Sequence, residues 1–383
     1  RHPAIRPRGI FEVTVKTILV AAGGTGGHLF PAFALAEELG RRDWRVEMAT
    51  DPRGDRYGTG FPAAAIHQLS SATITGRSPI ALARTGFALL SGVREAMTLL
   101  GRIKPAVVVG FGGYPCFPPL VAARLKRVPS ALHEQNAVLG RANRMLAPRV
   151  SAIATSFETV KFLEGAIRAK ARLTGNPVRD VVLEQAAAPY PPLTAEGPFN
   201  LLVFGGSQGA RFFSERVPAA LDELPPHLRA RLRVVQQCRP EDLDRVAETY
   251  ARAGIEAECQ TFFTDLPARI AASHLVIARA GASSIAELTV VGRPSILVPL
   301  PHALDNDQLL NASSLARAGG AWCIEEKDLD EKRLAAELAG LMEAPERLAE
   351  AAAAARSHGR PGAVVALADL VEDLAANKTA GAA

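Results

Sequence analysis

The feature that most constrains the fold is a unit that occurs in both halves of the chain. It consists of a short apolar run, a glycine-rich turn and a segment of helical periodicity, and the runs are TILVAA (17–22) and AVVVG (106–110), then NLLVF (200–204). Continuous apolar strands that alternate with helices are typical of parallel sheets covered by helices on both faces. The sequence therefore predicts an α/β protein with two domains of similar plan.

The same patterns predict the remaining elements and the domain boundaries. Further strands are predicted at 46–50, 129–133, 233–236, 275–278 and 295–299, and helices at 31–42, 118–127, 211–224 and within 334–376. We expect an N-terminal extension at 1–16, a first domain at 17–173, a linker at 174–198, a second domain at 199–358, and a C-terminal helix and tail at 359–383. The pattern leaves open which domain the last helix packs on.

Composition excludes several classes of protein. The 383 residues include 48% apolar and 22% charged side chains, which is a globular composition rather than a disordered one. No uninterrupted apolar run reaches the roughly 18 residues of a membrane-spanning helix, and the basic segment 1–16 lacks the apolar core of a signal peptide. The four cysteines are widely spaced, which favours free thiols in a reducing compartment. A net charge of +5 indicates an anionic partner without identifying it.

Three glycine turns indicate a phosphate ligand. They are GGTGGH (23–28), GFGGY (110–114) and GGSQGA (205–210). Glycine allows close backbone approach, and the N–H groups and dipole at the start of the following helix favour an anion. The chain lacks the GxxxxGK[ST] pattern of a P-loop NTPase. NAD binding stays open as an alternative, because Asp51 could bind a ribose, although Leu29 replaces the third glycine of the dinucleotide pattern.

His28 directly follows the first turn and is the candidate general base. A histidine near a helix N-terminus tends to stay neutral, and a base must be neutral to accept a proton. The alternative is a histidine at the helix start with no catalytic task.

The segment 277–312 carries the densest set of polar residues. Glu287 could close a capping box with Ser284, or it could accept two hydrogen bonds from a ribose diol. Asp305 and Asp307 have a spacing that could hold a metal, but no second ligand cluster accompanies them, so no metal site is predicted. The run HEQN (133–136) also ends a strand, and we expect these side chains to face a ligand because burying them without partners is costly.

These motifs together resemble those of the MurG family, the UDP-N-acetylglucosamine:undecaprenyl-pyrophosphoryl-MurNAc-pentapeptide transferases. The shared motifs, in the same order and spacing, are 23–28, 110–114, 133–136, TGNPVR (174–179), 205–210 and the block 280–311. The resemblance extends from about residue 16 to residue 320, and the C-terminal helices match only in character.

The resemblance implies a GT-B fold, in which two Rossmann-like parallel-sheet domains face a central cleft. It implies an inverting transfer of GlcNAc from UDP-GlcNAc to the C4 hydroxyl of MurNAc in lipid I, which forms the β-1,4 linkage of lipid II in peptidoglycan synthesis. No cofactor and no nucleic-acid partner are implied.

The resemblance also assigns roles to residues of this chain. His28 matches the candidate base, Glu287 would bind the ribose, and Gln308 would contact the GlcNAc hydroxyls. The other substrate-binding positions are Thr25, Gly26, Gly27 and Asn136 near phosphates, Arg179 and Ser207 at the diphosphate, Phe263 at the uracil, and Ala282, Ser283, Ser284, Ile285 and Ala286 along UDP. One departure is Asp307, where the family often has His or Gln, and it affects the predicted sugar contact but not the nucleotide site.

A lipid acceptor requires contact with a membrane. The stretch 75–104 interleaves Ile80 and Phe87 with Arg84 and Arg94, and a basic amphipathic segment suits anionic headgroups. We expect a peripheral protein on the cytoplasmic face of the bacterial plasma membrane; the alternative for this stretch is an ordinary helix packed on the sheet. A UDP-GlcNAc 2-epimerase of GT-B fold is the alternative function, since it shares the donor but needs no lipid acceptor.

Overall fold

Two parallel β-sheets organise the chain, as the sequence predicts. The computed structural model describes residues 15–23, 26–51, 60–71, 79–206 and 211–380. The strands of the first sheet are β1 (Thr17–Ala21), β2 (Arg45–Thr50), β3 (Ala65–Gln68), β4 (Val107–Gly110), β5 (Ser130–Glu134), β6 (Ala152–Thr155) and β7 (Ala171–Leu173). They lie in the order β3-β2-β1-β4-β5-β6-β7, and every pair is parallel.

The second sheet repeats this plan. Its strands are β8 (Phe199–Phe204), β9 (Leu232–Gln237), β10 (Glu256–Gln260), β11 (Leu275–Ala278), β12 (Ser295–Leu297) and β13 (Ala321–Cys323). They lie in the parallel order β10-β9-β8-β11-β12-β13. In each sheet the first strand in sequence is central and the order reverses beside it, which is the point where ligands bind in open α/β sheets.

Helices cover both sheets. Around the first are α1 (Gly26–Arg41), α2 (Pro79–Ile103), α3 (Phe117–Leu125), α4 (Arg141–Leu146) and α5 (Gly165–Arg168). The short helix α6 (Asp180–Leu183) follows β7 and packs against helices of the second half. The second half contributes α7 (Arg211–Asp222), α8 (Pro226–Arg229), α9 (Leu243–Arg252), α10 (Leu266–Ala272), α11 (Ala282–Val291), α12 (Asp307–Arg317), α13 (Glu331–Met342), α14 (Pro345–His358) and α15 (Ala363–Ala380). No helix of the described ranges is both long and apolar enough to span a bilayer.

The edge strands are where the sequence prediction falls short. It omits β3, β7, β10 and β13, which lie at the ends of the two sheets, and also the short inner strand β6. Along β10 the residues alternate between exposed and half-buried, and β3 has the same alternation. Edge strands therefore lack the continuous apolar run that identifies the central strands.

The start of α1 also differs from the prediction. The sequence predicts a helix at 31–42, where an amphipathic run begins at Pro31. In the structure α1 begins at Gly26 and continues through Pro31. The first turn of the helix therefore follows the end of β1 closely, and His28 lies within it.

The last helix returns to the first half of the chain. α15 packs against α1 and buries Leu367 and Val371 in the core beneath it. Arg42 Nη1 donates to Asp369 Oδ1 at 2.7 Å and to Glu372 Oε2 at 2.8 Å. The chain therefore crosses between its two halves twice, once after β7 and once between α14 and α15.

Candidate functional site

A cleft of about 660 Å³ lies between the two halves, at the carboxyl ends of the central strands. This volume lies within the range of about 300–1,000 Å³ that is usual for small-molecule sites. The first half contributes Gly26, Gly27, His28, Phe30, Gln135, Asn136 and Arg179. The second half contributes Phe204, Gly206, Gln237, Phe262, Phe263, Thr264, Leu266, Pro267, Gly281, Ala282, Ser283, Ser284, Glu287, Asp307 and Gln308.

Most predicted site residues that the structure describes meet in this cleft. They are Gly26, Gly27, His28, Asn136, Arg179, Phe263, Ala282, Ser283, Ser284, Glu287 and Gln308. Thr25 and Ser207 fall outside the described residues. Ile285 and Ala286 line a second cavity on the opposite side of α11. Asp51, which the NAD alternative required, is buried and is not among the residues that line the cleft.

His28 is held in the neutral form that a base requires. Its Nδ1 lies 3.3 Å from the carbonyl oxygen of Gly23, and because a carbonyl only accepts, Nδ1 is the protonated nitrogen in this contact. Burial lowers the pKa of His28, and this outweighs the opposite effect of that hydrogen bond. The basic lone pair is then on Nε2.

The second glycine turn makes room for this imidazole. A Cβ atom on Gly112 would lie 3.2 Å from His28 Nε2, and one on Gly113 would lie 3.6 Å from Cε1. Both glycines also have positive φ, at 93° and 73°. The sequence predicts a phosphate-binding turn here, whereas in the structure the turn packs against the candidate base.

The capping-box interpretation of Glu287 is wrong. The N-cap of α11 is Gly281, with φ −63° and ψ 144° and no side-chain cap, so Ser284 already lies within the first helical turn. A capping box needs Ser284 outside the helix as the cap. The N–H groups of Ala282, Ser283 and Ser284 precede the first intrahelical hydrogen bond, from Ile285 N to Gly281 O at 3.0 Å. They are available to an anion in the cleft.

Glu287 instead interacts across the cleft with Arg179. The Arg179 Nη2 atom lies 3.5 Å from Glu287 Oε1, and its guanidinium stacks over the ring of Phe30 at 4.4 Å. Glu287 is 7% exposed. Burial raises the pKa of its carboxyl, and the charge of Arg179 opposes that rise. Arg179 is thus oriented by one residue from each half, and its Nε has no hydrogen-bond partner among the described residues.

Ser283 contributes a buried hydroxyl to the cleft. Its Oγ is buried and has no hydrogen-bond partner within the described ranges. An unsatisfied buried hydroxyl costs free energy, and a ligand that supplies an acceptor or donor removes that cost.

The HEQN run is only partly directed at the cleft. Gln135 and Asn136 line it, but His133 and Glu134 do not. His133 Nε2 bonds to Gly175 O at 3.0 Å, and burial lowers the pKa of this histidine to about 4. Glu134 accepts from Gly140 N and Asn143 Nδ2, each at 2.8 Å. The prediction that all four side chains face a ligand is therefore wrong for these two, because the protein itself supplies their partners.

The two aspartates of the DxD segment face different partners. Asp305 Oδ2 accepts from Arg144 Nη2 at 2.5 Å, which forms an ion pair between the two halves. Asp307 lines the cleft, and burial raises the pKa of its carboxyl. Gln308 Oε1 accepts from Leu300 N at 3.0 Å, so its amide is held in one orientation beside Asp307.

Asn311 is a residue whose importance only the structure shows. It is fully buried on α12. Its Oδ1 accepts from Ala137 N at 2.7 Å, and its Nδ2 donates to Asn136 Oδ1 at 2.9 Å and to Ala280 O at 3.2 Å. Asn311 therefore joins the two walls at the base of the cleft. In the sequence, the only indication of this role was the position of Asn311 in a run of polar residues.

Comparisons with known proteins agree with this architecture. Residues 18–155 match the glycosyltransferase family 28 N-terminal domain, and residues 200–367 match the C-terminal domain of the same family. A UDP-N-acetylglucosamine--N-acetylmuramyl-(pentapeptide) pyrophosphoryl-undecaprenol N-acetylglucosamine transferase from Chelativorans sp. (strain BNC1) is 53% identical over 95% of this chain and 96% of its own length. One of the same name from Mesorhizobium japonicum is 54% identical over 94% of this chain and 96% of its own length.

Solved structures give the same result at the level of the fold. The crystal structure of Acinetobacter baumannii MurG has a TM-score of 0.77 and 29% identity, and the match covers 94% of this chain and 99% of that one. A UDP-GlcNAc 2-epimerase from Neisseria meningitidis, bound to UDP-GlcNAc, has a TM-score of 0.63 with 13% identity over 94% of this chain and 99% of that one. The epimerase thus shares the fold alone.

The predicted GT-B fold and the predicted family are both confirmed. Both domains of glycosyltransferase family 28 match this chain in order, and the relatives are more than half identical over nearly its whole length. The chain therefore belongs to glycosyltransferase family 28 and, within it, to the MurG family of N-acetylglucosamine transferases.

Proposed function

We propose that this chain transfers GlcNAc from UDP-GlcNAc to the C4 hydroxyl of MurNAc in lipid I, with inversion at the anomeric carbon, and so makes lipid II for peptidoglycan synthesis. The observation that carries this proposal is the cleft itself. One wall holds a neutral imidazole at His28, and the opposite wall presents the open N-terminus of α11 with the carboxylate of Glu287. A base and an anion site facing each other are what an inverting transfer from a nucleotide sugar requires.

The second domain would bind the donor. The first-turn N–H groups of α11 and the guanidinium of Arg179 would contact the diphosphate and stabilise its charge as UDP departs. Glu287 would accept hydrogen bonds from the ribose hydroxyls. Phe263 would lie at the uracil, and Gln308 would bind the GlcNAc hydroxyls beside Asp307.

The first domain would bind the acceptor and supply the base. His28 Nε2 would take the proton of the MurNAc O4 atom while O4 attacks C1 of GlcNAc from the side opposite the diphosphate. The C1–O bond to UDP then breaks and its electron pair leaves with UDP, which gives the β linkage. Thr25, Gly26, Gly27 and Asn136 would lie near the phosphates, and Ser207 near the donor diphosphate.

We also propose that the domain boundaries follow the two crossings of the chain. The first domain would comprise 17–173 and the second 199–358, joined by 174–198. The C-terminal segment 359–383 would stabilise the first domain, which agrees with the packing of α15 on α1.

The same proposal places the protein on the cytoplasmic face of the plasma membrane, as a peripheral protein. On α2, Phe87 is 77% exposed and Leu90 is 71% exposed, and Arg94 is also exposed. The later part of this helix buries Ala96, Leu99 and Leu100 instead. The helix thus combines a packed end with an exposed apolar and basic portion, which suits anionic headgroups. The side chains of Ile80 and Arg84 fall outside the described residues.

Transfer of radiolabel from UDP-GlcNAc to a lipid I analogue tests the reaction. We expect a labelled disaccharide product that depends on both substrates. Conversion of UDP-GlcNAc to its 2-epimer without an acceptor would instead support the epimerase alternative and contradict the proposal.

Vesicle sedimentation tests the membrane surface separately. Replacing Phe87 and Leu90 with serine should release the protein from anionic vesicles while turnover of a water-soluble acceptor stays unchanged. Val365→Ser, at an exposed apolar position of α15, is the matched control. Equal vesicle binding by the double variant and the unaltered protein would contradict this assignment.

A further inference from the structure

A second large cavity lies behind the cleft, on the opposite side of α11. Its volume is about 680 Å³. We call it the hinge cavity and define it by Asn176, Lys161, Ile285, Arg317 and the segment 357–360, which all line it. The helix α11 separates it from the cleft, since Glu287 faces the cleft while Ile285 faces this cavity.

Both crossings between the domains form its wall. A Cβ atom on Gly175 would lie 2.8 Å from the Cβ of Arg360, so the first crossing packs directly against the second. A Cβ atom on Gly359 would lie 2.5 Å from Thr289 O, so the second crossing also packs on α11. A molecule in this cavity would therefore contact both domains at the hinge between them.

The charge around the cavity favours an anion. Lys161, Arg317 and Arg360 line it together with one carboxylate, Glu158. The Arg360 Nη2 atom lies 3.4 Å from Glu158 Oε1, whereas Lys161 and Arg317 form no ion pair with any described carboxylate. Burial and the nearby Arg360 both lower the pKa of His358, so this ring would be a neutral hydrogen-bonding group at pH 7.

The side-chain amide of Asn176 is buried and lines the cavity. Asn176 is 6% exposed, and neither its Oδ1 nor its Nδ2 has a hydrogen-bond partner within the described residues. An unpartnered buried amide is costly, and a polar ligand in the adjoining space would satisfy it. Aliphatic side chains of Ile285, Val290 and Leu310 form the less polar part of the wall.

We propose that the hinge cavity binds a small organic phosphate, and that its occupation strengthens donor binding in the cleft. The phosphate would lie against Lys161 and Arg317 and accept a hydrogen bond from Asn176 Nδ2. The organic part would lie against the aliphatic face of α11. The volume is within the usual range of about 300–1,000 Å³ for such a ligand.

We expect the hinge cavity and the cleft to be coupled because they share a helix and a chain crossing. The helix α11 contributes side chains to both, and Asn176 lies three residues before Arg179 in the same crossing. A ligand that holds both crossings together would favour the arrangement in which Arg179 meets Glu287. By linkage, the donor would strengthen phosphate binding by the same factor.

Calorimetry with phenyl phosphate on the full chain, with the cleft saturated by UDP, tests the binding. Phenyl phosphate should bind at one site per chain and at least tenfold more tightly than inorganic phosphate, because the ring contacts the aliphatic wall. The double variant Lys161→Gln/Arg317→Gln and the single variant Asn176→Ala should each weaken it at least tenfold. A matched double variant, Lys332→Gln/Arg252→Gln, removes the same charge from α13 and α9 and should bind normally.

The outcomes separate this proposal from the transferase assignment. Phenyl phosphate should also lower the Kd of UDP by at least fivefold in the unaltered protein and not in the Lys161/Arg317 variant. Absence of binding, or binding that the hinge variants do not weaken, would overturn the site, and an unchanged Kd of UDP would overturn the coupling. If UDP itself failed to bind, the same variants titrated without UDP would still report on the hinge cavity, because neither residue lines the cleft.

Discussion

The first-domain wall of the cleft and the second-domain wall offer a ligand different chemistry. On the first wall, burial lowers the pKa of His28, and Gly112 and Gly113 lie against its ring. On the second wall, α11 opens with N–H groups that precede its first intrahelical hydrogen bond, and the Ser283 hydroxyl has no hydrogen-bond partner among the described residues. The first wall thus keeps His28 neutral, whereas the second wall presents several hydrogen-bond donors to an anion.

This difference indicates how the reaction is divided between the domains. A base works best when it is neutral and positioned, and a leaving diphosphate needs fixed dipoles and donors. Changes on the first wall should therefore lower the chemical rate, and changes on the second should weaken donor binding.

The largest expected effect is on the first wall. His28→Ala should lower kcat by roughly 10²–10⁴-fold, the usual worth of general-base help, while the Kd of UDP stays within twofold. Steady-state transfer rates and UDP calorimetry measure the two quantities. His227→Ala, at an exposed position of α8, is the control. A near-normal kcat with intact UDP affinity would mean that His28 is not the base.

The matching change on the second wall is Glu287→Ala. Losing charged hydrogen bonds to the ribose should weaken UDP-GlcNAc binding by roughly 10–100-fold, given about 1.5–3 kcal/mol for such a bond. The rate at saturating donor should fall much less. Glu346→Ala on the exposed face of α14 serves for comparison. If the substitution lowered only kcat, the proposal that the second wall serves donor binding would be wrong.

The pH dependence of kcat/KM sharpens the role of the first wall. Because burial lowers the pKa of His28 from 6.5, the imidazole stays neutral at lower pH than a free histidine. The fall of kcat/KM on acidification should therefore have its midpoint below pH 6.5, and it should reach about tenfold per unit once most of the His28 is protonated. A rate profile from pH 4.5 to 8 tests this, and a midpoint at or above pH 6.5 would contradict it.

The smallest expected effect belongs to Ser283→Ala. The hydroxyl has no protein partner among the described residues, so removing it should leave thermal stability of the free protein unchanged or slightly higher. Loss of its hydrogen bond to the donor, about 1 kcal/mol, should weaken UDP affinity by about fivefold. Thermal melts with and without UDP give both numbers, and equal UDP stabilisation in the two proteins would remove Ser283 from the site.

Local patterns were sufficient to predict the central strands and the strand ends at which ligands bind. β1, β4 and β8 are short apolar runs, and each leads into a glycine turn whose position the sequence shows directly. Parallel strands place these turns at one edge of each sheet. The resemblance to the MurG family, rather than the strand pattern, assigned His28 and Glu287 to one cleft.

Contacts between the domains were not predictable in this way. The sequence shows that α11 is a helix near a ligand, but only packing decides that Glu287 faces the cleft and that Ile285 and Ala286 face the hinge cavity. The interaction of Arg179 with Glu287 joins residues 108 positions apart. No local spacing records such a pair, because it depends on how the two sheets are oriented.

What the sequence by itself determined is therefore the kind of domain, its repetition and the ends of the strands where chemistry occurs, since these depend on hydrophobic periodicity and on glycine. Tertiary structure alone decided that α15 packs on the first domain, that Gly112 and Gly113 lie against the imidazole of His28, and that His133 and Glu134 bond to the protein itself. The physical reason is that the place of a buried polar group depends on where its partners lie. His133 bonds to Gly175, 42 positions away, and even the nearer partners of Glu134, Gly140 and Asn143, reach its carboxyl only through the fold of the chain between them.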